Sequence, residues 1–231
     1  MPICHKRKFI FLHIPRCGGT SIESHLKLID KERLHGVVRI NDEVVTLHHL
    51  TMKDAIRAGF LSAKTAQEHF KFTIIRNPLK RFILDYFWQW NHDPKQHFGH
   101  LTFDEFIDFA QDIIKGERYF EEKHFDHFRP MTAYCYEGEK LVVDDVLLLD
   151  SIQEGLARLE SILGKVELPH LNSSRGNPSN EAHLKLTPDR IRRIEDLHAM
   201  DFELYETIRG RSNWTSRVAA KKQLLRQKRF T

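Results

Sequence analysis

Four consecutive apolar residues, Phe9-Ile10-Phe11-Leu12, run into Pro15 and then the pair Gly18-Gly19. A stretch that is apolar at every position is buried on both faces. Four residues are too few for a helix, so the run reads as a strand inside a sheet covered on both sides. Pro15 and the glycines end it in a tight turn. A helix then opens near Gly18 to Ser21 and continues to about Lys27, with Ile22, Leu26 and Ile29 at helical spacing. The same grammar recurs at Phe72 to Ile75, which Asn77-Pro78 stops, and a helix follows from Pro78 to about Trp90 with proline in its first turn. A third strand lies within Leu141 to Leu149, with Val146 to Leu149 its core. Strands alternating with helices predict an α/β domain with a central, mainly parallel sheet. In such sheets ligands bind beyond the carboxyl ends of the strands, which is where the breaks at Pro15 and Arg76 fall.

The segments between follow local rules. Val37 to Ile40 and Val44 to Leu47 flank Asn41-Asp42 and predict a hairpin. Thr51-x-x-Asp54, Thr102-x-x-Glu105 and Ser151-x-x-Glu154 predict capped helix starts, the second helix ending near Lys115-Gly116 and the third at Gly164. Leu168 to Ala182 is rich in Pro, Asn, Ser and Gly and predicts a loop. Thr187-Pro188 opens an amphipathic helix through about Ile208. We expect one α/β domain over residues 1–210 and a basic tail over 211–231, the tail a solvated end.

Composition excludes several classes. The 231 residues carry 36 Lys and Arg against 32 Asp and Glu, an excess that suits an anionic ligand without singling out nucleic acid. The aromatic-interleaved basic pattern of an RNA-binding sheet is absent, so no nucleic-acid partner is expected. Cys4, Cys17 and Cys135 are odd in number and form no C-x-x-C pair, which argues for a reducing compartment rather than a disulfide framework. No stretch approaches 18 apolar residues, so no membrane span is expected, and a soluble, cytoplasmic protein is.

The first chemical motif is His13-Ile14-Pro15-Arg16-Cys17-Gly18-Gly19-Thr20-Ser21. Gly18 and Gly19 let the backbone approach a ligand closely. The amides of the helix start attract an anion, Thr20 and Ser21 add hydroxyls, and Arg16 adds a fixed charge. An ordinary strand-to-helix turn would use the same small residues for geometry alone. The segment is not a Walker A loop, which needs G-x-x-x-x-G-K-[ST]. Nor is it a cysteine-phosphatase loop, because the position six beyond Cys17 is Glu23 and not arginine. The second motif, Arg76-Asn77-Pro78-Leu79-Lys80-Arg81, puts Arg76 at a strand end and Arg81 about one turn into the next helix. Arginine suits bidentate phosphate binding, and two anion sites at two strand ends suit a ligand with separated phosphates.

Together these segments resemble the phosphosulfate loop and the 3′-phosphate segment of sulfotransferases that use 3′-phosphoadenosine 5′-phosphosulfate (PAPS). The chain is similar to the carbohydrate group, which includes heparan and chondroitin sulfotransferases and their bacterial soluble relatives. Those loops often read HIPKTGGTS where this chain reads HIPRCGGTS, and RNPxxRLxSxY where it reads RNPLKRFILDY. HFRPMTAY at 127–134, LPHLNSS at 168–174 and LTPDRIRRIEDLHAMDFELY at 186–205 continue the resemblance in the family's order over most of residues 8–208. It implies a P-loop-kinase-like three-layer sandwich and transfer of a sulfuryl group from PAPS to a hydroxyl of a saccharide or glycoconjugate. Adenosine 3′,5′-bisphosphate would be released. Arg16, Cys17, Gly18, Gly19, Thr20 and Ser21 would hold the phosphosulfate and Arg76 with Arg81 the 3′-phosphate, while Ser173, Ser174 and Arg175 would add contacts from the late loop.

Two positions depart from the pattern. The loop lysine is Arg16 here, which keeps the charge but does not readily release a proton. The serine eight residues after the first arginine is Leu84, which cannot donate to a phosphate. A nucleotide-binding protein of the same fold that has lost transfer is therefore the alternative. A base must take the acceptor's proton, and histidine suits that role. His49, at the place matching the base of heparan-type relatives, is the first candidate and His48 the second, with Arg16 completing the catalytic set. His124-x-x-His127 has metal-like spacing, but no further ligands with zinc-like spacing accompany it, and no metal is expected. The region 92–126 is the expected acceptor side.

Overall fold

A computed structural model describes residues 1–28, 36–40, 43–92, 100–117, 125–166 and 184–210. β1 (Ile3–Cys4) precedes β2 (Phe9–Leu12), and α1 (Gly19–His25) follows the turn. β3 (Val37–Ile40) and β4 (Glu43–Thr46) form the predicted hairpin, whose Asn41-Asp42 turn lies outside the described residues. A 3₁₀ turn, Leu47–His49, leads to α2 (Met52–Arg57), whose start is capped by the Thr51 hydroxyl accepting from the Asp54 amide at 3.1 Å. α3 (Ala63–Glu68), which the sequence reading passed over, is capped in the same way by Ser62. β5 (Phe70–Ile75), α4 (Pro78–His92) and α5 (Phe103–Lys115) follow, the last opened by a complete Thr102/Glu105 capping box and closed by Gly116 at φ 74°.

A second 3₁₀ turn, Phe125–Phe128, leads to α6 (Thr132–Cys135), the small hairpin β6 (Tyr136–Glu137) and β7 (Lys140–Leu141), then β8 (Asp145–Leu148). Of the segment Leu141 to Leu149, β8 is the strand expected within it, one residue earlier than Val146 to Leu149, whereas Leu141 belongs to the small hairpin. Gly138, at φ 61°, folds β7 back on β6, while Asp144 accepts from the Lys71 amide at 2.8 Å and fixes β8 beside β5. α7 (Ile152–Arg158) and α8 (Glu160–Leu163) replace one predicted helix. Ser151 does not cap it, because Leu149–Ser151 already forms a 3₁₀ turn. α9 (Pro188–Leu197), capped by Thr187, and α10 (Ala199–Gly210) likewise replace one long helix, which breaks at His198.

The central sheet has the order β1-β2-β5-β8. β2, β5 and β8 are parallel, and only β1 runs against its neighbour. Every residue of β2 and β5 is buried, as strands covered on both faces require. Even Lys71 in β5 is accommodated, its ammonium donating to the Ala66 and His69 carbonyls beside Asp144. Phe9, Phe11, Phe70, Phe72 and Ile74 centre the main core, at about 1.5–3 kcal/mol for each large side chain withdrawn from water. A second core of Phe82, Phe103, Phe106, Phe128 and Ile194 packs α4, α5 and α9 together. Among the described residues no helix is long and apolar enough to cross a membrane. The tail 211–231 lies outside the described residues.

Candidate active site

Leu12 and Thr73 are register partners, and the Thr73 hydroxyl donates to the Leu12 carbonyl at 2.7 Å. The ends of β2 and β5 are therefore locked side by side, with the loop 13–21 leaving one and Arg76 the other. Arg16 takes a left-handed conformation at φ 64° and Gly18 at φ 80°. For Arg16 that conformation costs on the order of 1–2 kcal/mol, which the surrounding contacts must offset. Arg76 donates through Nη1 to the Arg16 carbonyl at 3.2 Å. Its Nε is buried and has no hydrogen-bond partner among the described residues, an orphan donor at the loop. Gly19 begins α1 with no side-chain cap from Gly18, and a Cβ on Gly19 would lie 2.1 Å from the His13 ring. The loop is thus wound as tightly as glycine allows.

Cys17 is 1% exposed, its thiol donating toward the Met131 sulfur at 3.8 Å. Burial pushes the thiol up to about 11, so it is protonated and not a nucleophile at neutral pH. Thr20 is exposed and Ser21 half-buried at the loop's outer side.

Arg81 is the hub of the site. Its guanidinium is buried and donates to the carbonyls of Pro15 at 3.2 Å, His127 at 2.9 Å and Arg129 at 3.0 Å. One side chain thereby ties the loop to the 125–129 segment. Asp85, one turn along the same face of α4, accepts from His127 Nδ1 at 2.6 Å. Trp88, nearly one turn further, stacks on the His127 ring with centroids 4.4 Å apart and 15° between planes. The Arg16 guanidinium lies 5.9 Å from the Trp88 ring centroid, a cation–π contact that aims the loop's charge. Because Arg81 satisfies three carbonyls, Arg81→Ala should lower stability by about 3 kcal/mol in a denaturant melt. An unchanged melt would show that water replaces it without loss.

The other half of the site is a group of histidines. His49 is buried, and Asp126 Oδ2 accepts from its Nδ1 at 2.9 Å. Asp126 Oδ2 also accepts from the Thr46 amide at 3.1 Å and from the Thr46 hydroxyl, which sits 3.0 Å from His49 Nδ1. Burial alone would raise the Asp126 carboxyl, but the hydrogen bonds it accepts from His49 and the Thr46 hydroxyl oppose that and hold the group well below the usual carboxylate range. Burial also drives His49 well below the ordinary histidine range against the pull of Asp126, and His13 and His48 push the same way. An ionised carboxylate can only accept, so the His49 proton sits on Nδ1 and the lone pair on Nε2. That is a neutral imidazole oriented by a carboxylate, the arrangement of a general base. His13 stands beside it, ring centroids 4.9 Å apart, with its own Nδ1 2.7 Å from Glu23. The half-buried His48 completes the group, 3.8 Å from His49 and 5.2 Å from His13 between centroids.

The residues singled out in the sequence fall into three sets. Arg16, Cys17, Gly18, Gly19, Thr20, Ser21 and Arg76 come together at the ends of β2 and β5, and His48 and His49 lie beside them against His13. Arg81, expected beside Arg76 at an anion, has Nε and Nη2 engaged by carbonyls. Ser173, Ser174 and Arg175, and His124, lie outside the described residues, as does part of the region 92–126. Leu84 is buried at 7% exposure. Sequence reasoning missed Asp126, Thr46, Glu23 and Asp85. No local pattern announces Asp126, but the spacing of Arg81, Asp85 and Trp88 on one helical face was there to be read.

Among known families, residues 1–206 match the family described as the Sulfotransferase family. No curated protein matches the chain.

Proposed function

The chain belongs to the sulfotransferase family, and we propose that it moves a sulfuryl group from PAPS to the hydroxyl of a saccharide or glycoconjugate acceptor on a P-loop-kinase-like three-layer scaffold. The observation that carries this reading is a chain of contacts. Asp126 orients His49, His49 lies against His13, and His13 packs on Gly19 of the anion-type loop. A base is thereby set beside the place where the donor's reacting group would be held.

The residues fit the donor. The uncapped start at Gly18 to Ser21 suits the 5′-phosphosulfate, and the orphan Arg76 Nε suits the 3′-phosphate. Arg81 serves by holding the loop, so the 3′-phosphate falls to Arg76 first. PAPS supplies an activated sulfuryl group, a mixed anhydride of sulfate and phosphate. His49 Nε2 accepts the proton of the attacking hydroxyl. Asp126 keeps the imidazole in the required tautomer and stabilises the imidazolium that forms. The Arg16 guanidinium, set over Trp88, offsets negative charge developing on the leaving oxygen. Positioning and electrostatics supply most of the acceleration, as in phosphoryl transfer.

The test is release of adenosine 3′,5′-bisphosphate from PAPS with heparan- and chondroitin-type oligosaccharides as acceptors, measured in the presence of a chelator. Binding of PAPS with no turnover on any acceptor would favour the silent binder that Leu84 allows. The pH profile adds a second check. A base works only when neutral, so the rate falls as pH drops through its folded pKa. With His49 held below the ordinary histidine value of 6.5, the acid limb of kcat/KM should lie below pH 6.5. A limb at or above that value would assign the base elsewhere.

A further inference from the structure

Three imidazoles from two distant parts of the chain converge beside the loop. One ring nitrogen from each of His13, His48 and His49 lies within 4.8 Å of the others. His13 leaves the end of β2, whereas His48 and His49 sit on the 3₁₀ turn after β4, so no spacing in the sequence announces the group. We propose that His13, His48 and His49 form a binding site for one divalent transition-metal ion of the zinc class.

Three features support it. Imidazole nitrogen is the ligand type that zinc and its neighbours prefer, and three histidines with an open fourth position are a recurrent zinc set. The distances are close to those needed. Bonds of about 2.0–2.1 Å put tetrahedral ligand atoms about 3.4 Å apart, so inward movement of each ring by under about an ångström closes the site. The outer partners are in place as well. Metal-bound histidines commonly give their other ring N–H to a carboxylate, which fixes the tautomer and raises the ligand's basicity. Here His13 Nδ1 is 2.7 Å from Glu23 and His49 Nδ1 is 2.9 Å from Asp126, so each presents Nε2 as the donor to a metal. Both rings are buried and held, while the half-buried His48 stands on the side open to solvent. The other triple with suitable atoms, His49, Asp126 and His127, is the weaker choice. It would draw Asp126 away from Thr46 and His127 away from Asp85.

The consequence for transfer rests on the reading of His49 as the base, whereas the binding does not. A metal on His49 Nε2 takes the lone pair that the acceptor's proton needs. Zinc and turnover are then mutually exclusive, and the ion acts as a brake that a chelator releases.

The experiment is a cobalt(II) titration of the full chain, stripped with chelator and followed by visible absorption. We expect intense tetrahedral d–d bands that saturate at one equivalent and are bleached by zinc. His48→Ala should weaken binding by at least about 100-fold, and Glu23→Gln, which leaves all three ligands, by about 10- to 100-fold. Each variant's melt confirms that it is folded. His25→Ala, at an exposed histidine outside the group, should bind as the parent does. Weak octahedral bands only, or equal binding by parent, His48→Ala and Glu23→Gln, would overturn the site and mark the binding as adventitious. Tight, His48-dependent binding without inhibition of PAPS turnover would leave the site standing and remove His49 as the base.

Discussion

Replacing His49 by alanine is expected to lower sulfuryl transfer by about 10²–10⁴-fold, the usual contribution of a positioned general base, with nucleotide affinity unchanged. The expectation follows from where the side chain sits. Its Nδ1 is engaged by Asp126, its Nε2 carries the lone pair, and it contributes no donor to the loop itself. Asp126→Asn should give a loss within the same range for a different reason. The amide keeps the shape but removes the charge that selects the tautomer and stabilises the imidazolium, so kcat falls while KM for the nucleotide holds. A merely structural role for His49 would instead lower the melting temperature and weaken the nucleotide together. Single-turnover assays beside nucleotide titrations separate the two. A His49→Ala protein with the parent's rate would remove the base from the account.

Gly19→Ala is the second large effect. The added methyl would lie 2.1 Å from His13 Cδ2 and 2.3 Å from its Nε2. The ring cannot easily yield. It is buried, bonded to Glu23, stacked on Phe11 at 5.8 Å and set edge-on to His49. Either the loop opens or His13 loses Glu23, and we expect about 3 kcal/mol of lost stability together with loss of measurable nucleotide binding. Gly18→Ala is the internal comparison. Its methyl would meet the tip of Leu149 at 2.9 Å, the end of a flexible side chain, so the left-handed backbone dominates at about 1–2 kcal/mol. Equal and small losses at both glycines, read by thermal melts and nucleotide titration, would mean that the contact with His13 sets no limit on the loop.

Much of the frame was legible because short-range rules govern it. The runs Phe9–Leu12 and Phe72–Ile75 read as interior strands, the second beginning two residues earlier in the structure, at Phe70. The hydroxyl caps at Thr51, Thr102 and Thr187 act within three residues of themselves, and Pro78 admits a helix start but not a helix interior. What the sequence concealed depends on long-range pairing. The division of Leu141 to Leu149 rests on Asp144 meeting Lys71, about seventy positions earlier. The break at His198 separates two helices whose apolar spacing reads as one. The turn from β2 into α1 was recognisable from its proline and glycines, and its left-handed residues proved to be Arg16 as well as Gly18. The partner of His49, the proposed base, was not recognisable, since Asp126 lies 77 residues away and carries no local signature. Arg81 has a structural role that its motif did not announce. Its place in the motif suggested an anion, and only the folded chain reveals three carbonyls around it.

The most direct test of PAPS chemistry at this site is a thermal-shift titration with adenosine 3′,5′-bisphosphate, run beside ATP and 5′-AMP. A ligand that binds only the folded chain adds about 2.7 kcal/mol at a hundredfold excess over its dissociation constant. A clear rise in melting temperature with the bisphosphate, absent with the other two nucleotides, is the predicted result. No rise, or an equal rise with ATP, would contradict the assignment of the loop and Arg76 to this donor.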